Sequence, residues 1–305
     1  MNRIVECVPN FSEGQRPEVI ERLWEAVEAV ATATVLGTHR DPDHNRSVIT
    51  FVASPEHIVE AAVRVVDLAS RLINLRDHSG EHPRIGATDV LPFIPVTNVT
   101  MEECVALAHE AGRRIAVELG IPVFFYELAA MRADRVKLEN VRRRGFEELR
   151  TRIAIDPERS PDVGEPRLHE TAGAIAVGAR PFLIAFNVNL RSNDVKIARA
   201  IAHAVRERDG GLPFLKALGF DLHSRGIVQV SMNLINYQVT GMAQAFEAVK
   251  SEAEKTGVEI ASTEIVGLIP EAALDRDAAY FPLLENFSED LVLEHRIASR
   301  NAERA

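Results

Sequence analysis

Segments with helical periodicity and segments with strand character alternate along the whole of this chain, which leaves few architectures open to it. Residues 17–30 carry Ile20, Leu23, Trp24 and Val27 on one helical face. A second helix opens at Ser54-Pro55-Glu56, Ser as cap and Pro in the first turn, and runs to about Leu75. Thr100, with Glu103 at the capping-box position, opens a third. Helical patterns return over 193–206 and 241–256, and a charged one over 127–150 reads as a solvated face. Between them, residues 4–8, 32–36, 47–53, 90–96, 122–126, 174–177, 182–190, 227–234 and 258–266 have strand composition. Pro92 and Pro95 predict an edge position for 90–96, because proline cannot donate to a ladder. Residues 10–14, 38–46, 76–89 and 156–171 read as polar turns or loops. A short helix is expected from 270 to 274 and a charged helical tail after Ser288. Alternation in both halves predicts an α/β (α+β) protein of sheets layered with helices. The Gly178-Ala179-Arg180-Pro181 turn suggests a border, so that 1–180 and 181–305 form two subdomains. The two halves show no sequence repeat, and no segment is of low complexity.

At 305 residues, 46% hydrophobic and 26% charged, the chain is long enough for two domains or one large one with a sizeable core. The formal net charge of -10 disfavours general nucleic-acid binding, which needs a basic surface to displace counterions. A few local arginines can still hold an acidic small molecule. Cys7 and Cys104 sit among apolar neighbours and make no disulfide framework. The first residues lack the apolar run of a signal peptide, and no stretch reaches the roughly 18 apolar residues of a membrane span. These features predict a cytoplasmic protein acting on small molecules, with no nucleic-acid or membrane partner; a homodimer would be ordinary for the class.

Chemistry concentrates in three loops. The first is His39-Arg40-Asp41-Pro42-Asp43-His44-Asn45-Arg46, the second His78-Ser79-Gly80-Glu81-His82-Pro83-Arg84, and the third carries Arg167 and His169. Imidazole titrates near pH 6.5, so His82 is a candidate proton carrier, with Glu81 or Asp89 to orient its ring. Arg46 and Arg84 are the natural carboxylate holders, because guanidinium offers two parallel donors. A plain proline- and glycine-rich turn would also account for the second loop. So would a metal site: His44, His78 and His82, with Asp41 and Asp43 nearby, suit a metal-dependent hydrolase, although Gly80 and Pro83 argue against a helix that would align them. The sequence has no Walker-type phosphate loop, dinucleotide fingerprint or nucleophile elbow.

Several of these segments together resemble the glutamate formimidoyltransferase family. The markers are Val5-Glu6-Cys7-Val8-Pro9-Asn10-Phe11-Ser12-Glu13-Gly14, Asp43-His44-Asn45-Arg46-Ser47 and Gly80-Glu81-His82-Pro83-Arg84-Ile85-Gly86-Ala87-Thr88-Asp89. Phe182-Leu183-Ile184-Ala185-Phe186-Asn187-Val188-Asn189-Leu190 and Gln229-Val230-Ser231-Met232-Asn233-Leu234 continue the match over nearly the whole chain. The resemblance implies two α/β subdomains with a ligand groove between them, and transfer of a formimidoyl group between 5-formimidoyltetrahydrofolate and L-glutamate in histidine degradation. A tetrahydrofolate derivative is then the co-substrate, and no metal is implied. The resemblance places the general acid/base on His82. It places folate contacts on Gly164, Glu165, Pro166, Arg167, Leu168, His169, Glu170, Thr171, Ala172 and Gly173. Asn10, His44, Arg46, Arg84, Gln229 and Asn233, within the matching segments, are candidate substrate contacts. Gly37, His39 and Val163 depart from the family pattern. They motivate an alternative, a related folate-dependent transferase using 5-formyltetrahydrofolate or another amino-acid acceptor.

Overall fold

Pro9 interrupts the first extended stretch, because it has no N–H to give a ladder. The result is two short strands, β1 (Ile4–Cys7) and β2 (Asn10–Phe11). Then come α1 (Pro17–Glu28), β3 (Thr34–Asp41), β4 (Arg46–Ala53), α2 (Pro55–Leu72), β5 (Thr88–Thr97), α3 (Met101–Leu119) and β6 (Val123–Glu127). Short helices α4 (Leu138–Val141) and α5 (Gly145–Arg152), and the strand β7 (Ile175–Ala179), complete a first compact unit, Met1–Arg180. The computed structural model describes residues 3–42, 44–78, 83–285 and 287–304 of the chain.

β1 and β2 lie end to end between β4 and β5, antiparallel to both; β3 pairs with the outer side of β4, while β7 and then β6 continue the sheet in parallel beyond β5. Strand side chains alternate between faces. Val5, Cys7, Phe51, Leu91, Phe93, Phe125 and Val177 therefore meet α1, α2 and α3 in one apolar core. Full burial of each such large side chain contributes about 1.5–3 kcal/mol. Thr100 and Glu103 make the predicted capping box at the head of α3. The opposite face is covered at one end, where Phe124, Tyr126, Val90 and Ala176 pack under Val141 and Leu149.

Three expectations need correction here. β5 is interior, not an edge. Its prolines are tolerated because β7 pairs with residues 90–93 and stops short of Pro95. Pro92 lies between the residues that pair with β2, ending at Val90, and those that pair with β1, starting at Phe93. The polar stretch 38–41 is the exposed end of β3, not loop, so the β3–β4 connection is only four residues long. Nor are the arginines of 127–150 simply a solvated face. Arg135 is 3% exposed, pairs with Asp162 at 2.6 Å and lies 4.9 Å from the centre of the Phe124 ring.

The second compact unit, Pro181–Ala305, is built from β8 (Ile184–Leu190), α6 (Val195–Val205), β9 (Leu215–Leu222), β10 (Ile227–Leu234), α7 (Met242–Thr256), β11 (Ile260–Val266) and α8 (Leu293–Arg304). Residues 270–274 hold a single 3₁₀ turn, Glu271–Ala273, in place of the expected helix. The sheet order is β11-β8-β10-β9, all antiparallel. Phe186, Val188, Val230 and Met232 face α6 and α7 in the core. β9 carries no strand signal in the sequence: only Leu215 and Ala217 of it are buried, and its outer half is exposed at the sheet edge.

Both units contain the same β-α-β-β-α-β path. In the first it runs β1, α1, β3, β4, α2, β5 with spatial order β3-β4-β1-β5; in the second it runs β8, α6, β9, β10, α7, β11 with order β9-β10-β8-β11. This is the split β-α-β arrangement used twice. The backbone plan recurs although the sequence shows no repeat, because the path needs only the alternation of apolar faces and not particular side chains.

Candidate functional site

Three loops at one end of the first sheet are tied together by short polar contacts. Asn45, in the left-handed region at φ 47°, accepts the Gly14 N–H on its side-chain oxygen at 2.8 Å. Its carbonyl accepts the His78 Nε2–H at 2.9 Å. Ser12 donates its hydroxyl to the Gly86 carbonyl at 2.7 Å and its N–H to Ala87. Asp41, at the end of β3, receives the His44 ring Nδ1–H at 2.6 Å and the His44 backbone N–H at 2.9 Å. Asp89, at the start of β5, accepts the Ile85 N–H at 2.8 Å and pairs with Arg142 at 2.5 Å.

These contacts surround a pocket of about 10 Å³ lined by Asn10, His44, Asn45, Arg46, His78, Arg84 and Asp89, among others. Four of the six candidate substrate contacts, Asn10, His44, Arg46 and Arg84, therefore meet in one place. That volume is about that of one water. Arg46 donates to the Asn10 side-chain oxygen. Burial, with Arg142 nearby, draws the Arg46 guanidinium down to about 10, which leaves it charged at neutral pH. Arg84 gives one nitrogen to the His78 carbonyl at 3.1 Å and to Glu147 at 3.0 Å. Its Nε is buried with no hydrogen-bond partner among the described residues. Burial also pushes the His78 ring below the ordinary imidazole range. A carbonyl can only accept, so the His78 proton sits on Nε2, and Nδ1 is buried as an unpartnered acceptor among the described residues. Asn45 and Ser12, which hold the pocket together, were not singled out by sequence reasoning; the positive φ of Asn45 is what marks it. The expected acid/base, His82, lies outside the described residues, as do Asp43, Gly80 and Glu81.

The expected folate loop joins this site at one end only. Ala87 donates to Ala172 and Ala174 to Ile85, both at close range, and Gly86 bridges Gly173. Upstream, Gly164, Glu165, Pro166 and Arg167 are exposed, and Leu168 packs against the Phe124–Tyr126 cluster. Glu170 pairs with Arg76 at 3.1 Å. His169 Nδ1 accepts the N–H groups of Thr171 and Ala172, and burial lowers its basicity. His169 and Thr171 line a separate cleft of about 430 Å³ with Asp67, Ser70, Arg71, Glu118 and Leu119 at the ends of α2 and α3. That cleft is larger, with charges paired as Arg71–Asp67 at 2.7 Å and Arg114–Glu118 at 2.7 Å; the smaller pocket also holds ion pairs, but it keeps Arg84 Nε and His78 Nδ1 without partners among the described residues.

Gly37, His39 and Val163, expected to depart from the family pattern, do not line the pocket. Gly37 and His39 are on the edge strand β3, with open space where a Gly37 side chain would project. Val163 pairs with Val123 and packs on the first core. The remaining substrate candidates, Gln229 and Asn233, stand on β10 of the second unit, on the face away from α6 and α7; Gln229 is buried and Asn233 exposed. Among the described residues the group spaced to share a metal ion is Glu271, Glu289 and His295, all exposed; neither His44 nor His78 belongs to it. No helix among the described residues is long and apolar enough to cross a membrane.

The chain is thus an α/β protein of two layered units, one carrying a pocket of arginine, histidine and asparagine. Residues 4–180 match the family model for the formiminotransferase domain, N-terminal subdomain, and residues 185–298 match that for the formiminotransferase domain, so the chain belongs to the formiminotransferase family. It is 45% identical to a glutamate formimidoyltransferase of Thermoplasma acidophilum over 96% of this chain and 97% of that protein. It is 43% identical to a glutamate formimidoyltransferase of Streptococcus pyogenes over 94% and 96%, respectively. A formimidoyltransferase-cyclodeaminase of Dictyostelium discoideum is 41% identical over 98% of this chain, which spans 56% of that longer protein.

Proposed function

We propose that this protein transfers a formimidoyl group between 5-formimidoyltetrahydrofolate and L-glutamate, with a tetrahydrofolate derivative as co-substrate. The observation that carries this reading is near-full-length identity of 45% to a relative named for that activity. The convergence of Asn10, His44, Arg46 and Arg84 on one pocket supports it. The glutamate amine attacks the formimidoyl carbon on folate N5, a tetrahedral carbon forms, and the C–N5 bond breaks as N5 takes a proton. His82 is the group proposed to accept the amine proton and return it to N5. The buried Arg84 Nε–H and the charged Arg46 suit a substrate carboxylate, since charge-assisted hydrogen bonds are the stronger kind. His78, held neutral by burial, offers an acceptor at the same pocket. Holding both substrates together supplies much of the acceleration. We place the enzyme in the cytoplasm, with the boundary of its two subdomains at 180/181 and a homodimer as the assembly to test by light scattering.

The test is a transfer assay on purified protein with glutamate and formimidoylfolate, run beside 5-formyltetrahydrofolate and a panel of other amino acids. Formimidoyl transfer to glutamate should dominate; a clear preference for another donor or acceptor overturns the proposal. His82→Ala, in protein that is folded and still binds folate, should lose roughly 10²–10⁴-fold in kcat. Near-normal turnover removes His82 from the chemical step.

A further inference from the structure

Glutamate reaches an enzyme at neutral pH as an ammonium with three protons on nitrogen, and that nitrogen ends the transfer with one. His82, in the role proposed for it, carries one of the two lost protons to folate N5. The other has to leave earlier, because an ammonium has no lone pair with which to attack carbon. The pocket therefore needs a second base that acts before the first bond forms, as a weak nucleophile is activated by an adjacent base. That base also has to pass its proton on to water.

His44 has the required properties. It lines the pocket with Asn10, Arg46, His78, Arg84 and Asp89, and 52% of its side chain is exposed, so a proton taken up there has a path to water. Both oxygens of Asp41 hold it: Oδ1 accepts the His44 backbone N–H at 2.9 Å and Oδ2 accepts the ring Nδ1–H at 2.6 Å. A carboxylate only accepts, so the ring proton is fixed on Nδ1 and Nε2 is left with a lone pair. Nε2 has no hydrogen-bond partner among the described residues. A carboxylate on Nδ1 also stabilises the imidazolium that forms when Nε2 takes a proton. His78 is the opposite tautomer: it gives Nε2–H to the Asn45 carbonyl, and burial opposes its charging. Arg46 stands directly across the β3–β4 hairpin from Asp41. A glutamate α-carboxylate held by Arg46 keeps the α-nitrogen one carbon away, in the pocket that His44 lines.

We propose that the Asp41–His44 pair is the base that converts the bound glutamate ammonium into the attacking amine. This rests on the formimidoyl transfer of the proposed function and assigns its first proton step. His44 Nε2 takes one ammonium proton. The freed lone pair forms the N–C bond to the formimidoyl carbon of the donor amidinium, whose C=N π electrons move to the formimidoyl nitrogen. His82 takes a second proton from the attacking nitrogen and gives it to N5. The C–N5 bond breaks with its electrons left on N5, and the formimidoyl nitrogen restores C=N. The products are tetrahydrofolate with an N5–H and the amidinium of formimidoylglutamate. His44 releases the first proton to water.

The experiment compares unaltered protein, Asp41→Asn and His44→Ala in the transfer assay across neutral and alkaline pH, with Tm and tetrahydrofolate binding measured on each. Asparagine can keep both contacts, its oxygen on the backbone N–H and its amide N–H on Nδ1, but the ring proton then moves to Nε2 and the lone pair is lost. Both variants should keep Tm and folate binding and lose about 10²-fold in kcat/KM for glutamate at neutral pH. The loss should shrink as pH rises and more glutamate arrives as free amine, and added imidazole should restore His44→Ala. Arg46, Arg84, His78 and Asp89 line the pocket in parent and variants alike, so their titration cancels in the ratio of rates. A parental rate in both variants overturns the proposal. A loss confined to KM for glutamate and equal at every pH also overturns it, and makes His44 a binding residue. Nitrogen NMR of the unaltered protein, which needs neither turnover nor a variant that folds, should show the neutral His44 ring protonated on Nδ1; an Nε2–H ring overturns the pair. Absence of formimidoyl transfer in unaltered protein removes the proposed function itself, and this step with it.

Discussion

Individual residues differ in how far their surroundings could be foreseen. Glu6 is the sharpest case. Its neighbours Val5 and Cys7 face the helices, so alternation sends Glu6 to the other face, where it is 2% exposed opposite Val52 and Ile94. Burial raises its carboxyl to about 7, only partly opposed by Arg180. The folded state therefore keeps a proton that the unfolded chain releases near its ordinary value of 4.5. Stability should fall as pH rises from about 4.5 and level off above about 7. Glu6→Gln removes that penalty. It should be more stable than the parent at pH 8, by up to about 3 kcal/mol, and show little difference at pH 4, by urea denaturation at the two pH values. A gain independent of pH would show that the carboxyl does not keep its proton in the fold. The sequence marks Glu6 as a charge in an apolar strand, but its proton affinity depends on neighbours from β4 and β5.

At the scale of elements, the crossing of the 83–89 segment with the end of the 164–173 loop is the critical junction. Gly86 and Gly173 face each other there, and a β-carbon on Gly86 would lie 1.8 Å from the Ala174 carbonyl oxygen. Backbone cannot yield as a side chain can. Gly86→Ala should cost more than about 3 kcal/mol, read as a large fall in Tm or loss of soluble protein. A variant with parental Tm would mean that the two segments do not touch this closely. The loop has a second anchor in Asp162, which accepts the Phe125 N–H at 2.8 Å and pairs with buried Arg135. Asp162→Asn leaves that guanidinium buried beside a neutral group and should cost about 3–5 kcal/mol in chemical denaturation. A cost under 1 kcal/mol would show the pair to be solvated. Helix ends were readable locally, as Thr100 and Glu103 show. The interior place of β5 was not, because the exclusion of prolines from sheet interiors depends on where each neighbouring strand stops.

For the whole molecule, the recurrence of one β-α-β-β-α-β path in two units is the main finding. Each unit encloses its own apolar core, so a cavity in one should be absorbed there. Phe246→Ala opens the second core and should cost about 3–5 kcal/mol by circular dichroism. The native emission of Trp24, the chain's single tryptophan, packs on the first core and should keep its wavelength. A shifted native emission would show that the cavity is felt in the first unit.

The sequence by itself determined the layered α/β class, the longer helices and most strands, because periodicity and capping are local properties of the chain. It also determined which loops carry histidine and arginine, and the ordered motifs that mark the family. Only the tertiary structure decided that Asn10, His44, Arg46 and Arg84 share a pocket, that Arg84 has a buried N–H with no partner among the described residues, and that the His169 end of the 164–173 loop turns to a different cleft. It alone revealed β9, whose exposed edge lacks an alternating pattern. Hydrogen-bond satisfaction and burial are set by residues tens to hundreds of positions apart, and no local pattern records which of them will meet.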